Sequence, residues 1–235
     1  ISRKSGGNSN TMKVGNIEIK WLGHDGFLIK NLDTKKNIYI DPYNISNDSE
    51  KADLILITHG HYDHCSVADI EKIIKEGTKI IATADCQSKI TKFNVPIQLE
   101  IVEPDQELDL GNIKLLTVPA YNTDKHFHSK EEHWVGYLIK MNGVVIYHAG
   151  DCDVMPEMQK LTGYKQPGKE FVALLPVSGR FVMNSEEAVE AAKILKPTLA
   201  VPMHFGSIVG VEEDAQEFVD FCKEEGINAK ILDKE

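Results

Sequence analysis

Residues 58 to 64 read Thr58-His59-Gly60-His61-Tyr62-Asp63-His64, which sets three imidazoles and a carboxylate within six positions, directly behind the apolar run Leu54-Ile55-Leu56-Ile57. Neutral imidazole and carboxylate are borderline-to-hard donors, the set that suits Zn²⁺, with Fe and Mn as competitors; an all-carboxylate loop would point to Ca²⁺. A lone pair of histidines would carry little information, whereas four donors at this spacing after a strand point to a metal centre. Such a centre draws donors from elsewhere in the chain. Two further segments end in suitable groups, Tyr147-His148-Ala149-Gly150-Asp151 and Val201-Pro202-Met203-His204. Both follow apolar runs, so their donors fall where strand ends meet loops and side chains from distant segments can converge.

Those donors need a frame. β-Branched and alternating runs predict strands over 17–22, 27–31, 37–40, 54–58, 79–82, 99–103, 113–119, 134–141, 144–148, 171–175, 199–202 and 230–232. Between them, helical spacing puts Val67, Ile70, Ile73 and Ile74 on one face of 67–76, Ala188, Ala191, Ala192 and Leu195 on one face of 185–195, and Phe218, Val219, Phe221 and Cys222 together in 214–225. Asn184 with Glu187 is a cap-like pair opening the second helix, and Lys196-Pro197 closes it. Strands in meanders come first and strands alternating with helices follow. That order predicts a mixed α/β layered fold with helices on the outer faces.

The 235 residues show no composition break, repeat or linker, and are expected to form a single domain from Met12 onward. The first eleven residues, Ile1 to Thr11, are polar and patternless and read as a non-native leader or disordered tail, with Met12 the expected native start. No apolar stretch approaches the roughly 18 residues that span a bilayer, and no basic-then-apolar signal follows Met12, so a soluble cytoplasmic protein is expected. Thirty-six acidic against 26 basic residues give a net charge of −10, which opposes attraction to nucleic acid or an anionic membrane and favours a small substrate. Cys65, Cys86, Cys152 and Cys222 are scattered without a CxxC pair, against both a disulfide framework and a thiolate zinc site. Oligomeric state is open, and a homo-oligomer is compatible with the sequence.

The T-H-x-H-x-D-H run, the strand ending in Gly150-Asp151 and the later strand ending in Pro202-Met203-His204 together resemble the metallo-β-lactamase superfamily. Trp21-Leu22-Gly23-His24, Ile40-Asp41-Pro42 and Tyr147-His148-Ala149-Gly150-Asp151 narrow this to a branch similar to the L-ascorbate-6-phosphate lactonase-like hydrolases, over about Lys13 to Lys230. The resemblance implies a four-layer αββα sandwich with a dinuclear centre in the cleft between its sheets. His59 and His61 would bind the first metal, Asp63, His64 and His204 the second, and Asp151 would bridge them. A water between two cations loses its proton near neutral pH and becomes the nucleophile. The superfamily usually supplies a third histidine to the first metal from the loop after the strand at 113–119, yet that loop here begins Ala120-Tyr121-Asn122. Three arrangements stand open: His126, His128 or His133 swings back; Asp151 plus water suffices; or the first metal binds weakly. The second is preferred, because two imidazoles, a carboxylate and a water make four ligands.

Around the metals, His24 in the Gly23-His24-Asp25-Gly26 turn is read as a substrate contact or a turn residue. Asp41 is read as the acceptor that fixes a ligating imidazole, or as an Asx-type turn before Pro42. His148 is read as core or supporting rather than ligating. The stretch 122–133 is locally basic and would lie over the cleft, where Lys125 and His128, with Arg180 from Val177-Ser178-Gly179-Arg180, would contact an anionic substrate. The reading is a metal-dependent hydrolase acting on a small lactone or phosphoester through an activated hydroxide oriented by Asp63; a β-lactam is a weaker candidate. The rival is a non-catalytic, regulatory metal-binding protein, favoured by the absent third histidine.

Overall fold

A computed structural model describes residues 10–234. Residues 1–9 of the expected leader lie outside the described residues, while Thr11 is already paired with Lys20 in a strand.

The first sheet runs in strict chain order: β1 (Thr11–Val14), β2 (Ile17–Gly23), β3 (Gly26–Asn31), β4 (Lys36–Ile40), β5 (Leu54–Leu56), β6 (Lys79–Ala82) and β7 (Gln98–Ile101). β1 to β4 form an antiparallel meander, and β4 to β7 pair in parallel with α1 (Val67–Ile73) crossing over between β5 and β6. The second sheet has β8 (Glu107–Asp109), β9 (Lys114–Pro119), β10 (Val135–Met141) and β11 (Val144–His148) antiparallel, then β12 (Glu170–Pro176) and β13 (Leu199–Met203) parallel. α2 (Ser185–Leu195) joins its last two strands and α3 (Glu212–Glu224) follows them.

Two apolar cores explain the layers. Period-two alternation sends Phe27 and Ile29 of β3, with Leu54 and Leu56 of β5, toward the second sheet, while Leu28 and Ile55 face the opposite side. There Ile70 and Ile73 of α1 cover them. β12 is apolar on both faces, Phe171 to Leu175, because α2 seals its outer side with Ala188, Ala191, Ala192 and Leu195. The result is the expected αββα sandwich.

Local differences from the sequence reading have physical causes. β1 and β8 are short edge strands whose polar residues, such as Lys13, Glu107 and Asp109, hide the alternation. α1 stops three residues early because Ile74 turns extended, although its side chain stays buried. The segment 230–232 forms no strand; the chain reaches the β13 edge only by a bridge between Ala229 and Ala200. β5 ends at Leu56, two residues before Thr58, because the Thr58 N–H leaves the sheet to bond a side chain at the site.

Candidate metal centre

The β5 loop turns sharply into the histidine cluster. The Gly60 N–H donates to Asp85 Oδ2 at 2.8 Å, and a Cβ at position 60 would stand 2.6 Å from that oxygen, so a larger residue would displace the Asp85 side chain from this bond. The His61 carbonyl then accepts from the N–H groups of His64 (3.0 Å) and Cys65 (2.8 Å), which curls Asp63 and His64 back over His59. The His59 and His64 ring centroids are 4.1 Å apart.

Two adjoining donor groups result. In the first, His59, His61, His128 and Asp151 each offer an atom within 4.8 Å of the others. His59 Nε2 lies 3.0 Å from His61 Nδ1, and Asp151 Oδ2 lies 3.2 Å from His128 Nε2 and 3.7 Å from His59 Nε2. In the second, His24, Asp63, His64 and His204 converge equally closely, with His24 Nε2 2.8 Å and His64 Nε2 3.4 Å from Asp63 Oδ2. Asp151 stands between them, Oδ2 3.2 Å from His64 Nε2 and Oδ1 3.3 Å from His204 Nε2. His61 is exposed and Asp63 partly so; they mark the mouth, and the other donors are buried.

An outer ring of oxygens aims the imidazoles. His64 Nδ1–H donates to Asp41 Oδ2 at 2.8 Å. Thr58 Oγ1 donates to the same oxygen at 2.6 Å and accepts from His59 Nδ1–H at 2.9 Å. His128 Nδ1–H donates to the Phe181 carbonyl at 2.8 Å, and His204 Nδ1 pairs with Ser178 Oγ at 2.9 Å. With Nδ1 engaged outward, the Nε2 atoms of these four rings face the cleft, as metal-binding imidazoles require. His24, Asp41, His128 and His204 also hold positive φ of 51°, 42°, 56° and 61°. Left-handed backbone at a residue other than glycine costs about 1–3 kcal/mol and persists where surrounding structure over-determines it, as it does at functional sites.

The electrostatics suit a cation. Burial pushes the His59 and His61 imidazoles below their ordinary range, so they are neutral donors at neutral pH. Burial opposes charge on Asp63, but the hydrogen bond from His24 and the His64 imidazole 3.4 Å away outweigh it and hold its carboxyl well below the usual carboxylate range. His64 is opposed by burial too, yet Asp151, Asp41 and Asp63 around it raise it well above. His64 Nε2 and Asp151 Oδ1 are buried without a hydrogen-bond partner. Unpartnered buried polar atoms are costly. Here they converge in a mixed imidazole–carboxylate set, so the residues fit a divalent ion, and would fit two.

Residues expected around the metals are placed as follows. His128, read as a substrate contact and, with His126 and His133, as a histidine that could swing back to the first metal, lies inside the first donor group, where the preferred arrangement had a water. Asn122 explains how: its N–H donates to the His128 carbonyl at 2.8 Å, and its Nδ2 clamps the carbonyls of Phe127 (2.9 Å) and Phe181 (2.7 Å). The loop closes on itself, and the His128 ring comes to stand beside those of His59 and His61. His126 and His133 are exposed. Lys125 does not present a free charge to the cleft, because its Nζ pairs with Asp153, Asp124 and Glu187. Arg180 is exposed, 4.9 Å above the Phe181 ring, and no carboxylate pairs with it among the described residues. His24 joins the second donor group rather than standing apart as a substrate contact. Asp41 is the imidazole acceptor expected. His148 has both nitrogens used, Nε2–H donating to the Asp25 carbonyl at 2.8 Å and Nδ1 accepting from Gly150 N–H at 3.2 Å. Sequence reading passed over Thr58, Ser178 and Asn122, small polar residues whose role is set only by what faces them.

Comparison with known proteins agrees with this architecture. The model of the beta-lactamase superfamily domain matches residues 18–204. The UPF0173 metal-dependent hydrolase of Thermococcus onnurineus is 35% identical over 210 residues, covering 86% of this chain and 90% of the relative; that of Pyrococcus abyssi is 34% identical over 226 residues, covering 92% and 95%. Among solved structures, a candidate metal-dependent hydrolase from Parabacteroides distasonis superposes with a TM-score of 0.80 at 27% identity, covering 96% of this chain and 98% of the other. Igni18, a metallo hydrolase from Ignicoccus hospitalis, shares the fold with a TM-score of 0.74 at 24% identity, covering 92% and 95%. No helix among the described residues is long and apolar enough to cross a membrane. With the superfamily model spanning most of its length and relatives of this identity covered nearly end to end, the chain belongs to the metallo-β-lactamase superfamily, in the UPF0173 family of metal-dependent hydrolases.

Proposed function

We propose that this protein hydrolyses a small anionic lactone or phosphoester with one or two divalent cations, Zn²⁺ foremost and Mn²⁺ or Fe as alternatives, held by the two donor groups. The observation that carries the reading is the pair of His/Asp groups with Asp151 between them, and His64 Nε2 and Asp151 Oδ1 buried and unpartnered. Cations bound there supply Lewis acidity and lower the pKa of water toward neutrality.

The protein's own groups do the rest. Asp63 stays ionised at neutral pH, anchored through His24 Nε2–H, and at the mouth its carboxylate orients the attacking water by accepting a proton-bearing O–H. Trp134, with its ring 4.7 Å from that of His59 and 4.8 Å from that of His61, covers one side of the first group and excludes bulk water. Arg180 at the rim supplies a guanidinium for a carboxylate or phosphate. The likeness of Trp21-Leu22-Gly23-His24 and Ile40-Asp41-Pro42 to the lactonase-like branch supports a lactone or phosphoester over a β-lactam. The non-catalytic rival drew its support from a missing third histidine, and the nearness of His128 to His59, His61 and Asp151 weakens that support.

Single-turnover assays on panels of lactones and cyclic phosphates, with metal-free protein as control, test the reading. Metal-dependent hydrolysis on either panel is expected; none on both, with ions demonstrably bound, would contradict it.

A further inference from the structure

We infer that Asp25 is an additional ligand of the second cation, a carboxylate on the buried side of the site that tilts it toward oxygen-preferring ions such as Mn²⁺. This rests on the reading that the donor groups hold cations.

Asp25 is fully buried, and neither carboxylate oxygen has a hydrogen-bond partner. A carboxylate in that position is heavily penalised unless a positive charge or a donor compensates it. The donor groups of His148 and Thr58, and His64 Nδ1–H, are committed elsewhere. His148 gives Nε2–H to the backbone carbonyl of Asp25 and accepts from Gly150 at Nδ1. His64 gives Nδ1–H to Asp41 at 2.8 Å and leaves Asp25 Oδ2 at 3.8 Å. Thr58 gives both its N–H and its hydroxyl to Asp41. Burial first, and then the Asp151 and Asp41 carboxylates, disfavour a charge on Asp25, with the His64 imidazole opposing them.

The carboxylate is nevertheless held rather than left to find solvent. His148 fixes the Asp25 carbonyl, and the His204 N–H fixes the His24 carbonyl at 3.1 Å, so the 23–26 turn is tied to the ends of β11 and β13. From there an Asp25 oxygen lies within 4.8 Å of donor atoms of His64, Asp151 and His204. Those three are expected around the second ion in any case, so a cation among them resolves the unpartnered oxygens of Asp25 and the unpartnered His64 Nε2 together. With Asp25 the second site has the carboxylates of Asp63 and Asp25 beside the shared Asp151, where the first has Asp151 alone with its three imidazoles, and oxygen donors favour Mn²⁺ relative to Zn²⁺.

The test compares wild type with Asp25→Asn, a substitution that keeps shape and can still donate to Asp151 but carries no charge. Metal-free protein is titrated with Mn²⁺, following the electron paramagnetic resonance of the free ion, and with Zn²⁺ against a chromophoric chelator. Wild type is expected to take up two ions. In the variant one Mn²⁺ affinity should fall at least about tenfold, the Zn²⁺ affinity less, and the other ion's affinity should not move. Metal-free Asp25→Asn should unfold at the same or a higher temperature, since repulsion from Asp151 is relieved. Unchanged affinity for both ions would overturn the role of Asp25 while leaving the donor groups intact; failure of wild type to bind any ion would overturn the underlying reading as well. If the variant does not fold, metal-loaded wild-type crystals decide. An Asp25 oxygen at about 2.2 Å from the ion supports the inference, and an ion without an Asp25 contact contradicts it.

Discussion

Asp41 shows how much of this site rests on single side chains. Its carboxylate accepts from Thr58 N–H, Thr58 Oγ1 and His64 Nδ1–H, and through Thr58 it reaches His59, so one buried acid orients a histidine from each donor group. Asp41→Asn should weaken metal binding about 10- to 100-fold while leaving the fold intact, measured by chelator competition and circular dichroism; unchanged affinity would show that the rings hold their tautomers without it. His64 makes a second prediction. With its pKa raised, its proton adds stability to the metal-free protein below the ordinary 6.5, and that contribution is lost as pH rises through the raised value. A cation at Nε2 must displace this proton, so affinity at the second group should climb about tenfold per pH unit as pH rises toward the raised value, with one proton released, and level off above it. His59 and His61, already neutral, give the first group no such slope. Calorimetry in buffers of different ionisation enthalpy reads the proton directly, and its absence would count against His64 as a ligand.

At the scale of elements, legibility in sequence followed periodicity. The buried strands and the amphipathic helices were visible because alternation and i, i+3, i+4 spacing are local, and the motif loop was visible because its donors are adjacent. β1 and β8 were not, because short polar edge strands are defined by partners rather than by their own residues. The loop 122–128 is the instructive case. Asn122, standing where a histidine was sought, closes the loop so that a histidine six residues on arrives in the first group; no spacing rule anticipates a ring closed by side-chain amide bonds to two carbonyls. Asp25 escaped for a related reason, since its significance lies in neighbours that are already spoken for. Asn122→Ala should cost about 1 kcal/mol by removing the bonds to two partly buried carbonyls, and should weaken one ion's binding while sparing the other, as read by denaturant unfolding and metal titration. Equal loss at both ions, or none, would contradict a clamp specific to His128.

Across the whole molecule, the two sheets bring carboxylates and imidazoles from the first sheet (Asp25, Asp41, the motif loop) against those of the second (Asp151, His204, His128), so the site is itself part of the joint between layers. Cations there should stabilise the entire fold. At a hundredfold excess over its dissociation constant each ion adds about 2.7 kcal/mol, and a chain of this size should gain about 5–10 °C in Tm per ion. Scanning calorimetry with and without a chelator checks this; identical melting curves would mean that no ion binds the native fold in preference to the unfolded chain. The most direct test of the central claim is elemental analysis of metal-saturated, desalted protein, wild type beside His128→Ala. About two ions per chain, falling to about one in the variant, is the predicted result; no retained metal in the wild type, or a stoichiometry that His128 does not affect, would contradict it.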